Sequence, residues 1–143
     1  MAPSATTRRA VTWTACAWAV VFGAPHLWWA LGVPYGFPGG QASYDFFMSS
    51  AWRVVYDWVV VVMSALAVAI ALELQKPPEK VRRRRIPLGL AWFACGILLL
   101  RGIAGAIVDG RGDLVWNPLF LAGGVAMGAL AFVSTTRQIN AKP

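Results

Sequence analysis

Four stretches of nearly unbroken apolar sequence organise the chain: Val11 to Leu31, Val54 to Leu74, Leu88 to Val108, and about Pro118 to Thr135. Each is long enough to cross roughly 30 Å of hydrocarbon as an α-helix, which rises about 1.5 Å per residue. Lipid offers no water to backbone N–H and C=O groups. A run of this length must therefore be helical, even where it carries a β-branched core such as Val59-Val60-Val61-Val62. The pattern predicts an all-α integral membrane four-helix bundle forming one domain over residues 1–143.

The segments between the runs are of two kinds. Residues 32–50 (GVPYGFPGGQASYDFFMSS) are rich in Gly, Pro and aromatics. This composition breaks a helix and suits a loop at headgroup level, where Tyr and Phe rest; the part from Tyr44 to Met48 is expected to lie flat on the membrane. Residues 75–87 (QKPPEKVRRRRIP) stop the second helix at two adjacent prolines and carry lysines and arginines that cannot cross. Arg8 and Arg9 before the first run would also suit a signal peptide. That run is long, however, ends in His26-Leu27-Trp28-Trp29 and has no small-residue cleavage site just after it, so it is expected to be an uncleaved anchor.

Composition narrows the class further. Hydrophobic residues make up 58% and charged residues 13%, about half the charged share of soluble domains. A net charge of +7 could signal nucleic acid, but most of the positive charge sits in three short patches between apolar runs. No polar face interleaved with aromatics exists to bind a polyanion, so no nucleic-acid partner is expected. One side of the predicted spans holds Arg8, Arg9, Lys76, Lys80, Arg82, Arg83, Arg84, Arg85, Arg137 and Lys142; the other holds only Arg53 and Arg111, with Arg101 in the membrane. Ten against two predicts N and C termini in the cytoplasm, residues 75–87 as a cytoplasmic loop and residues 32–50 outside. Cys16 and Cys95 then lie in the cytoplasmic half, where a disulfide is not expected. A single histidine and the absence of CxxC or HExxH argue against a metal or haem, and no cofactor is expected.

Candidate chemistry rests on the few polar residues inside the spans. His26 lies roughly 7 Å outward of its helix midpoint, Arg101 nearer its own midpoint, and Asp57 closer to the outer surface. Charged groups at such depth cost a few kcal/mol or more unless they meet a partner or water, so they face the bundle interior as a rule and mark function. Ala19, Gly23 and Ala30 share the face of His26 and would let a helix or ligand approach its imidazole. Arg53 and Asp57 stand one turn apart and could pair, while Arg101 has two candidate partners, Asp57 and Asp109. On the structural account Arg101 is clasped by a carboxylate and His26 bonds a carbonyl, fixing register. On the functional account His26, Trp29, Asp57, Arg101 and Asp109 line a ligand site. Gly124 and Gly128 form a GxxxG pair beside Gly123, a candidate close-packing face. The run Arg82 to Arg85 is explained by topology and by attraction to anionic headgroups.

The phrase from Phe22 to Gly32, read as H-x-x-W-A-L-G, resembles the opening helix of a family of small bacterial four-helix membrane proteins known only as a domain of unknown function. Leu100-Arg101-Gly102-Ile103-Ala104-Gly105, an aspartate loop and Asn117-Pro118-Leu119 are similar to that family's third helix, loop and fourth-helix start. Val115-Trp116-Asn117 departs from it, since the family's loop ends in a tyrosine-containing segment. The resemblance implies architecture and a bacterial cytoplasmic membrane, not chemistry.

Three functions compete. The first is a module whose outward-opening polar cavity binds a lipid-like or small anionic ligand, or a partner helix, with Arg101 meeting the anion and tryptophans holding the apolar part. Membrane lipids and a second copy or other membrane protein are its expected partners. The second is a small enzyme acting on an isoprenoid or other lipid, with His26 or Asp57 as catalytic proton donor. The third, a dimeric transporter, suffers from having no carboxylate near a helix midpoint.

Overall fold

The computed structural model describes residues 3–76, 81–108 and 115–140. Among these residues five helices follow one another: α1 (Ala5–Ala30), α2 (Gly40–Met48), α3 (Ala51–Gln75), α4 (Val81–Val108) and α5 (Trp116–Asn140). All but the short α2 are long and apolar enough to cross a membrane, and together they form an all-α membrane bundle.

The long helices overrun the apolar stretches at most ends, because hydropathy marks the hydrocarbon boundary and not the helix end. Ser4 caps α1, its hydroxyl accepting from the Thr7 N–H at 3.0 Å, so the helix begins two turns before the apolar run. At the start of α4, Arg82 to Arg85 and Pro87 lie within the helix rather than in the loop expected over 75–87; arginine is a good helix former once its head is outside the hydrocarbon. Helix α5 starts two residues before Pro118, whose missing N–H costs nothing in a first turn. At the other end of α1, the Gly32 N–H bonds to the Trp29 carbonyl and the Val33 N–H to the Trp28 carbonyl. Gly32 has φ +91° and Pro34 follows, a Schellman stop that turns the chain back over the bundle.

Helix α1 packs mainly on α3, and α4 on α5; α1 and α5 join the two pairs, whereas α3 and α4 touch more sparsely. The seams are made by small residues. A Cβ on Gly23 would come within 2.7 Å of Ser64, one on Gly124 within 2.6 Å of Leu99, and one on Gly128 within 2.8 Å of the Cys95 sulfur. Gly123 makes the slot for the Trp18 ring, whose Nε1 donates to the Leu119 carbonyl at 2.8 Å. Ala15, Ala19, Ala71, Ala91, Met127 and Ala131 are almost wholly buried, while Val21, Val62, Leu100, Ile103, Val125 and Phe132 point outward. Small residues inside and large apolar ones outside invert the soluble pattern. Lipid supplies no hydrophobic drive between helices, so close backbone approach is what holds them together.

One end of the bundle is basic. Arg84 is buried, its Nη2 donating to the carbonyls of Leu74 and Lys76, and Arg137 donates to the same Lys76 carbonyl at 3.0 Å. Two guanidinium groups thereby close the negative C-terminal end of α3. The polar candidates gather at the opposite end.

Candidate functional site

His26 and Asp57 face each other across the α1–α3 seam, 6% and 1% exposed. His26 Nδ1 and Asp57 Oδ1 are 2.7 Å apart. An Asp57 carboxylate has only acceptors, so Nδ1 carries the hydrogen and donates it, leaving Nε2 as the ring nitrogen not engaged by the acid. This corrects the expected clasp: Asp57 is held by His26 and not by Arg101 or Arg53, and His26 bonds a carboxylate rather than a carbonyl. The reason is reach, since both side chains are short and Gly23 and Ser64 bring the two backbones close enough for them to meet. Asp57 Oδ2 is buried with no hydrogen-bond partner among the described residues.

Four rings surround the imidazole. Centroids of Phe22, Trp29, Tyr56 and Trp116 lie 5.5, 5.2, 6.0 and 5.7 Å from that of His26, within the range of edge and tilted aromatic contacts. Trp116 comes from the first turn of α5, so α1, α3 and α5 all contribute to this cluster.

Arg101, on α4, is exposed and not sequestered within the bundle. Its guanidinium lies over the Phe120 ring at 5.0 Å and Nη1 donates to Asn117 Oδ1 at 3.3 Å. A face-on aromatic and a side-chain carbonyl offset part of the cost of holding the charge about two turns inside the helix end. Gly105 leaves room for this contact, because any Cβ there would strike Asn117 and Arg101. Asp109, the other expected partner, lies outside the described residues.

The loop after α1 completes the wall. Phe37 packs edge-on against Trp29 at 5.0 Å and Tyr44 at 5.5 Å. The Tyr44 hydroxyl donates to the Trp29 carbonyl at 3.1 Å, and Trp29 Nε1 to the Tyr35 carbonyl at 3.3 Å. Arg53, expected beside Asp57, instead donates to the Phe46 carbonyl at 2.9 Å and covers the Phe46 and Phe47 rings, tying α2 to α3. The result is a cleft of about 230 Å3 in which His26, Trp29, Tyr56, Trp116, Arg101 and Phe120 meet Phe37 and Pro38.

The structure thus brings together His26, Trp29, Asp57 and Arg101 and adds Phe22, Phe37, Tyr44, Tyr56, Trp116, Phe120 and Asn117. Tyr56 carried a signal in its adjacency to Asp57, and Trp116 and Asn117 in their place before Pro118. Nothing in the local pattern tied Phe37 or Phe120 to His26. Among the described residues no three His, Cys, Asp or Glu side chains come together as metal ligands. Comparison with protein-family models, curated proteins and solved structures gives no match.

Proposed function

We propose that this cleft binds the head of an anionic, lipid-like ligand and that it opens on the outer face of a bacterial cytoplasmic membrane. The observation that carries the reading is the pairing of an anchored imidazole with an exposed guanidinium across one aromatic-walled cleft. Arg101 offers further N–H donors beyond the one used by Asn117, and a guanidinium matches a phosphate or carboxylate with two parallel hydrogen bonds. His26 lines the same cleft, and the tryptophans supply apolar walls. The orientation is supported by the basic bias of the opposite end. In nanodiscs, native mass spectrometry should find phosphatidylglycerol retained over phosphatidylcholine. Arg101→Gln should erase that preference, a change of roughly tenfold, and Arg101→Lys should keep part of it. Equal retention of both lipids by the parent protein would sink the reading.

A specific observation also favours the enzymatic alternative. The carboxylate on Nδ1 fixes the imidazole tautomer and leaves Nε2 to take or give a proton, the arrangement by which a histidine serves as general base or acid. The ring faces of Trp29 and Trp116 would stabilise positive charge developing on an isoprenoid or other lipid. His26→Ala and Asp57→Asn proteins that remain folded but lose turnover of a co-purifying lipid would support this alternative. Unchanged lipid composition on incubation with the parent protein would rule it out.

A further inference from the structure

The sparse contact between α3 and α4 leaves a second feature at the middle of the bundle, a groove of about 320 Å3. Val60, Met63, Ala67 and Ile70 face it from α3 at helical spacing; Leu90, Ala94 and Ile97 do so from α4. Its floor is built and not incidental, for Trp18 is held there by the Leu119 carbonyl and the Gly123 slot. From Val59 to Ile70 the groove runs about 16 Å along α3, close to half the roughly 30 Å hydrocarbon thickness. Apart from Ser64 every side chain that lines it is apolar. An apolar trough of this length suits one extended hydrocarbon chain of a lipid.

The upper end of the groove gives the occupant its head. Phe120 lines both the groove and the polar cleft, and the Arg101 guanidinium lies over that ring. We infer that the α3–α4 groove seats one hydrocarbon chain of a membrane glycerophospholipid, entering sideways from the bilayer, with its phosphate drawn up past Phe120 to Arg101. The head position rests on the cleft reading above; the chain position rests on the groove alone. Because Arg101 lies below the outer end of α4, a lipid seated this way rides deeper than its neighbours and its chain reaches past the bilayer midplane.

The test uses the full chain in nanodiscs containing phosphatidylglycerol that carries a diazirine midway along one chain. After illumination, adducts are mapped by peptide mass spectrometry. Adducts concentrated on Met63, Ala67, Ala94 and Ile97 are expected, and they should fall by roughly tenfold in Ala67→Trp or Ala94→Trp protein, whose fold is checked by thermal unfolding. Adducts spread evenly over outward residues such as Val62, Ile103 and Val125 in the parent protein would overturn the inference whether or not either variant folds. So would labelling of the groove by a second copy in place of lipid. Loss of headgroup preference in Arg101→Gln is read separately: groove adducts that persist without any headgroup preference in the parent protein defeat the cleft reading and leave the chain seat standing.

Discussion

Asp57 gives His26 an acceptor where both side chains are buried, and the size of that effect separates two descriptions of the pair. An ordinary hydrogen bond between membrane helices contributes about 1–2 kcal/mol. Removing one partner of a buried ionic pair costs about 3–5 kcal/mol, because the other charge stays behind. With Asp57 ionised, His26→Leu leaves its carboxylate unpaired and should lower unfolding free energy in bicelles by about 3 kcal/mol, and Asp57→Leu, which leaves a neutral imidazole without its acceptor, by about 1–2 kcal/mol. The double variant should lose no more than the worse single one; simple additivity would show that the pair is not coupled. Sequence spacing had exposed both residues as costly in lipid, but not their pairing. Spacing along one helix offered Arg53 one turn from Asp57 and Asp109 two turns from Arg101, and could not see that Gly23 and Ser64 bring the two backbones together. The same blindness hid Asn117 as the hydrogen-bond partner of Arg101.

Glycine content is uninformative about helices until each position is set against its neighbour. Gly124 has no room for a methyl beside Leu99, whereas Gly96 and Gly89, on α4, meet nothing within 4 Å. Gly124→Ala should therefore lower the melting temperature in detergent, by overpacking that costs about 1–3 kcal/mol. Gly96→Ala should be neutral or stabilising by up to about 1 kcal/mol through helix propensity. If both changes behave alike, packing is not what the glycines serve. At this scale much was legible: hydropathy found four of the five helices, since segment length and backbone satisfaction in lipid leave no alternative. Their ends were not, because Ser4, Pro118 and Arg82 to Arg85 extend helices through residues that hydropathy scores as polar or breaking. Within 32–50, expected to be a loop, Gly40–Met48 forms α2, whose Tyr44 reaches the Trp29 carbonyl, an anchor that no local pattern reveals.

Across the molecule the charges divide the two ends, and the proposed orientation can be tested directly. Cys16 and Cys95 are buried, so introduced cysteines report with little background. A membrane-impermeant maleimide on intact cells should label Ser49→Cys, and should label Lys76→Cys only after lysis, both sites being exposed in the fold. The reverse order would invert the topology. The architecture of two helix pairs, α1 with α3 and α4 with α5, also predicts that separately expressed halves divided between α3 and α4 co-purify. A Gly123→Val change should abolish that recovery by refusing the Trp18 ring. That single ring in its slot has a consequence for biogenesis. The acid–histidine pair lies between α1 and α3 with rings from both, whereas Trp116, Phe120 and Arg101 come only from the last two helices. A chain without α5 therefore lacks the Trp116 ring beside His26. Docking of α5 on Trp18 is then the step that completes the surroundings of the pair.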